Sequence, residues 1–164
     1  MKIYGITGVK DSGKTTLVER LVPEIGARGY SVSTVKHAHH VTDVDQPGRD
    51  SYRHRSAGAR EVMLASPLRW ALMRELRGDD EPTLEELLAR LSPVDLVLVE
   101  GYKAGPHPKL EVHRAAKGRP PLALGNPTVR AVAADAAPGG LEVPVLDLDD
   151  IPAIADFILA ELQL

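Results

Sequence analysis

The sequence predicts an α/β fold: one mostly parallel sheet with helices on both faces and an added antiparallel hairpin. Three observations predict it. Strand-like and helix-like segments alternate along the 164 residues, the order that builds parallel strands with crossover helices. The run VDLVLVE at 94–100 is apolar almost without a break, as a parallel strand buried on both faces requires. The segments EVMLA and RWALM flank a Ser66-Pro67 turn, which reads as a hairpin.

The elements follow in order. KIYGIT at 2–7 is the first strand. The glycine-rich turn after it leads into a helix whose apolar face is Leu17, Val18, Leu21, Val22 and Ile25. Pro23 should bend or shorten that helix unless packing compensates, because it removes a backbone donor. Gly26 and Gly29 end it, and SVSTVK at 31–36 alternates as a second strand. After the hairpin, Thr83 and Glu86 form a capping box ahead of Leu84, Leu87, Leu88 and Leu91. The buried strand at 94–100 belongs in mid-sheet. KLEVH (109–113), VRAVAA (129–134) and VPVLDL (143–148) are further strands. The C-terminal helix carries Ile151, Ile154, Ala155, Ile158, Leu159 and Leu162 on one stripe, with Asp149 or Asp150 capping ahead of Pro152.

The length suits one domain, 1–164. With no cysteine there is no disulfide, no thiolate nucleophile and no cysteine-ligated metal centre. The net charge of −3 argues against generic nucleic-acid binding. No apolar stretch is long enough for a membrane span, and no signal peptide is expected, so the cytoplasm is the expected compartment. Basic residues gather at 36–60 and 101–130 in an otherwise acidic chain, the kind of island a phosphate-bearing ligand needs nearby.

Residues 8–15, GVKDSGKT, match G-x-x-x-x-G-K-[ST] between a strand and a helix. Backbone N–H groups of the loop, at Gly8, Lys10, Asp11, Ser12 and Gly13, with the helix N-terminus, would converge on phosphate oxygens. Lys14 would reach the β- and γ-phosphates and the Thr15 hydroxyl would coordinate Mg²⁺. The fold is therefore of the P-loop NTPase type. A second metal-side oxygen must come from the carboxyl end of a neighbouring buried strand. Asp95 and Glu100 bracket such a strand, about 16 Å apart at roughly 3.3 Å per residue, so Glu100 takes the metal role and Asp95 is a strand-end acid.

Lys36-His37-Ala38-His39-His40 leaves the second strand on the same edge of the sheet. It reads as a polar loop in which Lys36, His37 and His40 approach the nucleotide or a second phosphorylated ligand. A metal-delivery role for His37, His39 and His40 is the alternative. Asp43 to Ser51 then leads into a short helix. There Asp50, and after it Asp45, are the candidates to orient an attacking water, with Arg53 and Arg55 to neutralise phosphate charge.

These residues resemble the molybdopterin-guanine dinucleotide biosynthesis adapter (MobB) family. The similarity rests on GVKDSGKTTL at 8–17, TVKHAHH at 34–40, the D-x-D-x-P-G-x-D-S run from Asp43 to Ser51, RHRSAGA at 53–59, SPLRWALMRE at 66–75, DLVLVEGYK at 95–103 and PKLEVHR at 108–114. The resemblance implies a GTP-binding, homodimeric protein with at most slow hydrolysis. It implies partners too: molybdopterin, and the molybdenum cofactor guanylyltransferase that attaches GMP to it. Nucleotide-binding residues carry over to Gly13, Lys14, Thr15 and Thr16, and the acidic strand end to Glu100. The guanine-reading N-K-x-D of small GTPases is absent. Asn126 and Asp135 are candidates for base contact, and the Pro106-His107-Pro108 segment is a candidate to meet the pterin phosphate or the partner. A small-metabolite kinase or ligase and a GTP-dependent metallochaperone are the alternative readings.

Overall fold

The computed structural model describes residues 1–38 and 43–164. In chain order the elements are β1 (Lys2–Thr7), α1 (Lys14–Ala27), β2 (Val32–Lys36), α2 (Asp50–Ser56), β3 (Glu61–Ala65), β4 (Trp70–Arg74), α3 (Leu84–Leu88), β5 (Leu96–Glu100), β6 (Lys109–His113), β7 (Val129–Ala134), β8 (Val145–Asp147) and α4 (Ile151–Leu162). They divide into two compact units: Met1–His37 with Leu91–Leu164, and Ala38–Arg90.

The first unit is built on a six-stranded sheet in the order β2-β5-β1-β6-β7-β8. Every neighbouring pair is parallel, so all six carboxyl ends meet one edge. β5 lies inside the sheet between β1 and β2, as its apolar run requires. Leu96 and Leu98 turn to one face and Val97 and Val99 to the other, and all four are buried. Alternate residues Tyr4, Ile6, Leu96, Leu98, Leu110 and Val112 share a core with Leu17, Leu21 and Ile25 of α1 and Ile154 and Ile158 of α4. Each such side chain contributes about 1.5–3 kcal/mol relative to exposure. Pro23 lies inside α1, and the helix runs through it to Ala27. The ring is on the exposed side while Leu21 and Ile25 on either side are fully buried, so packing offsets the lost donor.

The opposite face of β7 meets Ala123 in the 3-10 turn Leu122–Leu124, together with Leu141 and Val143. A register shift between Lys109 and Leu110 leaves Arg130 of β7 as an extra residue. That bulge puts Val129 and Val132 into the same small cluster although they are three apart. β8 is shorter than the alternation from 143 predicts, because Pro144 has no N–H to donate. Asp150 caps α4, its side chain accepting from Ala153 N at 3.0 Å, with Pro152 in the first turn.

The second unit holds the antiparallel hairpin β3–β4, registered with Met63 opposite Leu72 and Ala65 opposite Trp70. Ser66 closes its turn: its N–H donates to Arg69 O at 2.9 Å and its Oγ accepts from Arg69 N at 3.2 Å. The capping box forms as expected, Glu86 N donating to Thr83 Oγ1 at 3.2 Å and Thr83 N to Glu86 Oε2 at 2.8 Å. α3 ends at Leu88, so Leu91 lies beyond its apolar face.

Candidate functional site

The loop between β1 and α1 opens at the carboxyl edge of the sheet, where β2 and β5 lie to one side of β1 and β6 to the other. That is a switch point in a parallel sheet, the place where ligands bind. Sequence dictates the loop's shape locally. Gly8 has φ 144° and a Cβ there would stand 2.5 Å from Val112 O of β6, so only glycine lets the chain leave β1 against its neighbour. Gly13 takes φ 101° as the residue before α1, a left-handed conformation that presents the first-turn amides of Lys14, Thr15 and Thr16. Those N–H groups have no intrahelical acceptor.

Three charged or polar side chains converge beneath them. Thr15 Oγ1 donates to Glu100 at 3.0 Å (Oε1) and 3.2 Å (Oε2). Lys36 Nζ lies 3.1 Å from Thr15 Oγ1 and 3.6 Å from Glu100 Oε1. Lys14 folds back over its own loop, its ammonium donating to Val9 O at 2.8 Å and Gly8 O at 3.3 Å. Burial is the main influence on it, pulling its pKa below the ordinary lysine value, while the nearby Glu100 carboxylate works in the other direction. Ser12 Oγ and Thr7 Oγ1 are buried in this region and have no hydrogen-bond partner among the described residues. A groove of about 470 Å³ runs from Thr15, Lys36 and Glu100 along Val18 and Val22 of α1 and Val32 of β2.

On the other flank, Arg114 directly follows β6. Its Nε donates to Ser12 O at 3.4 Å and its Nη1 is 3.5 Å from Asp135 Oδ2. Asp135 also accepts from Ala115 N at 3.0 Å. That amide bond, with the Arg114 guanidinium, holds its carboxyl below the usual carboxylate range.

The family model "Molybdopterin guanine dinucleotide synthesis protein B" (MobB) matches residues 3–135. The chain belongs to the MobB family. It is 43% identical over 155 residues to the molybdopterin-guanine dinucleotide biosynthesis adapter protein of Escherichia coli, covering 93% of this chain and 88% of that protein. Identity to the Haemophilus influenzae protein of the same name is 44% over 159 residues, covering 95% and 86%. The crystal structure of a MobB homolog from Bacillus stearothermophilus superposes with a TM-score of 0.73 at 28% identity, over 99% of both chains.

Within this MobB chain the metal-side expectation finds its partners together: Thr15 and Glu100 are hydrogen-bonded, with Lys36 beside them. His37 follows on, its N–H donating to Glu100 O at 2.8 Å and its ring 4.9 Å from that of Tyr102. Lys10 and Asp11 are exposed at the tip of the loop. His39 and His40 lie outside the described residues. Among the described residues no group of three or more His, Asp or Glu side chains is arranged to hold a metal. Asp45 and Asp50 belong to the second unit. The Asp45 carboxylate accepts from Ser51 Oγ at 2.9 Å, Gln46 N at 3.0 Å and Arg55 Nε at 3.2 Å. Asp50 is open to solvent, 3.7 Å from Arg53. Asn126 caps the turn before β7, accepting from Thr128 N and Oγ1. It therefore stands at the amino edge of the sheet, away from the loop. His107 packs against Gly5 and Gly105 ahead of β6, also on the amino side.

Sequence reasoning missed three things. Arg114 stands in the sequence only as the end of PKLEVHR. Lys109 and Glu111 alternate with Leu110 and Val112, which by pattern would expose them, yet both are 1% exposed. Lys109 Nζ donates to His107 O and Thr128 Oγ1 at 2.9 Å and to Gly105 O. Glu111 accepts from Leu122 N and Ala123 N at 2.8 and 2.9 Å. The readable signal is a β-strand that carries a cation and an anion two positions apart, Lys109 and Glu111, with His113 two further on.

Proposed function

We propose that this MobB-family chain is a GTP-binding adapter that assists the molybdenum cofactor guanylyltransferase in attaching GMP to molybdopterin. The observation that carries the nucleotide reading is the Thr15–Glu100–Lys36 cluster beneath the amides of a glycine-shaped loop. The loop amides and the first turn of α1 bind phosphate oxygens, and Lys14 turns from Val9 O and Gly8 O to the β/γ end. The hydroxyl of Thr15 and the carboxylate of Glu100 are hard oxygen donors from two different elements, which fits Mg²⁺. Mg²⁺ bound there neutralises charge on the terminal phosphates. Ser12 Oγ, buried and without a partner among the described residues, gains an acceptor when an anion fills the loop.

Hydrolysis on this reading is slow. Asp45 is committed to Arg55, Ser51 and Gln46; Asp50 is the remaining candidate to orient water, and its substitution is the test of any turnover. The chain acts in the cytoplasm as a homodimer. Met63, Leu68 and Trp70 of the hairpin are 62%, 89% and 64% exposed, an apolar surface suited to a second copy. Among the described residues no helix is long and apolar enough to cross a membrane.

Pull-down with the purified guanylyltransferase, with and without GTP, tests adapter against enzyme. Nucleotide-dependent capture supports the reading. Absence of capture in both arms, with metabolite-dependent turnover of 1–100 per second as in kinases, would replace it with the kinase reading.

A further inference from the structure

The site has two flanks, and the P-loop signature accounts for one. Thr15, Glu100 and Lys36 stand on the β2–β5 side of β1, where Mg²⁺ and the terminal phosphates belong. On the β6–β7 side the Arg114 guanidinium lies against the peptide joining Ser12 to Gly13, its Nε 3.4 Å from Ser12 O. Its Nη2 is 3.7 Å from where a Gly13 side chain would begin.

That guanidinium is held from behind. Asp135, the first residue after β7, takes Nη1 with one oxygen and Ala115 N with the other. Both carboxylate oxygens of Asp135 are engaged by its neighbours in the fold. Nε and Nη1 are thus directed at protein, while Nη2 has no acceptor among the described residues. The Arg114 side chain is 39% exposed, and its Nη2 lies on the side of Gly13. A planar cation fixed by two protein contacts and keeping its Nη2 amino group unused is a preorganised anion contact.

We propose that Arg114, positioned by Asp135, binds the nucleoside-proximal phosphate of the nucleotide, on the flank opposite the metal. The proposal rests on the nucleotide reading given above. Its consequence is that Arg114 serves GDP and GTP alike.

Calorimetry of GDP and GTP, each with Mg²⁺, on the wild type, Arg114→Ala, Arg114→Lys, Asp135→Asn and the double variant Arg114→Ala/Asp135→Asn tests it. Loss of one charge-assisted contact predicts about a tenfold weakening of both nucleotides in Arg114→Ala. Arg114→Lys, which keeps the charge but lacks the fork, recovers part of it. Asp135→Asn weakens binding less, and adds nothing in the Arg114→Ala background. A merely structural role for Asp135 would instead be additive. Unchanged affinity in both arginine variants, or a loss confined to GTP, overturns the proposal. If wild-type chain binds neither nucleotide, the nucleotide reading itself fails, which separates the two failures.

Discussion

Asp95 and Glu100 sit at the two ends of β5, and their surroundings assign them different work. Asp95 Oδ2 accepts from Ser31 N at 2.8 Å and Ser31 Oγ at 2.6 Å, tying the start of β5 to the start of β2. The Ser31 bonds hold its carboxyl below the usual range. Glu100 faces Thr15 and Lys36. Glu100→Gln therefore weakens Mg²⁺-dependent GTP binding while Asp95→Asn leaves it unchanged and lowers the thermal midpoint instead; calorimetry and a melting curve on both variants check this, and the reverse order contradicts it. Glu111 gives a stability prediction. Removing it strands two amides and leaves His113, with Nδ1 3.9 Å from Glu111 Oε1, without its acidic neighbour. Glu111→Ala costs roughly 3 kcal/mol in urea unfolding, with Glu111→Gln much milder because an acceptor remains.

At the scale of elements, the strands and helices were legible wherever periodicity and punctuation agreed. The Thr83–Glu86 box, the Ser66-Pro67 turn and the unbroken apolar run of β5 each name a local physical cause, and each element formed. α1 ran through Pro23 because the cost falls on its exposed side while Leu21 and Ile25 pack. β6 was legible as a strand but not as a buried one: Glu111 is a polar letter whose partners, the amides at 122–123, lie more than ten residues away, and Lys109 joins Thr128 Oγ1 from as far to its nearby acceptors at Gly105 and His107. Arg114 escaped for the same reason. Its contacts, Ser12 and Asp135, are brought together only by β1, β6 and β7 lying side by side. The loop at 8–15 was fully legible, since both its strand and its helix are contiguous with it. Lys14→Ala should leave circular dichroism unchanged and weaken GTP binding at least about a hundredfold, through loss of a charged phosphate donor; near-wild-type affinity contradicts its assigned place.

For the molecule as a whole, acid stability follows from its carboxylates. Asp43, Asp79, Asp95 and Asp135 are all held below the ordinary range by hydrogen bonds: Asp43 by Asp45 N and Arg55, Asp79 by Arg60, Asp95 by Ser31 and Asp135 by Ala115 N. Folded-state values lower than unfolded ones mean that the unfolded chain binds more protons as the pH drops. The stabilisation from these groups is complete above the usual carboxylate range and is lost as pH falls through it and below. The thermal midpoint should change little on their account near neutrality and decline as the pH drops below about 4; a midpoint that stays level to pH 3 contradicts this.

Where the triphosphate lies decides the nucleotide reading. A crystal structure of the chain with a non-hydrolysable GTP analogue and Mg²⁺ tests it most directly. Phosphate density is expected against the amides of residues 8–16, with Lys14 turned from Val9 O towards it, the metal at Thr15 and Glu100, and Arg114 on the nucleoside side. Analogue bound elsewhere with that loop empty would contradict it.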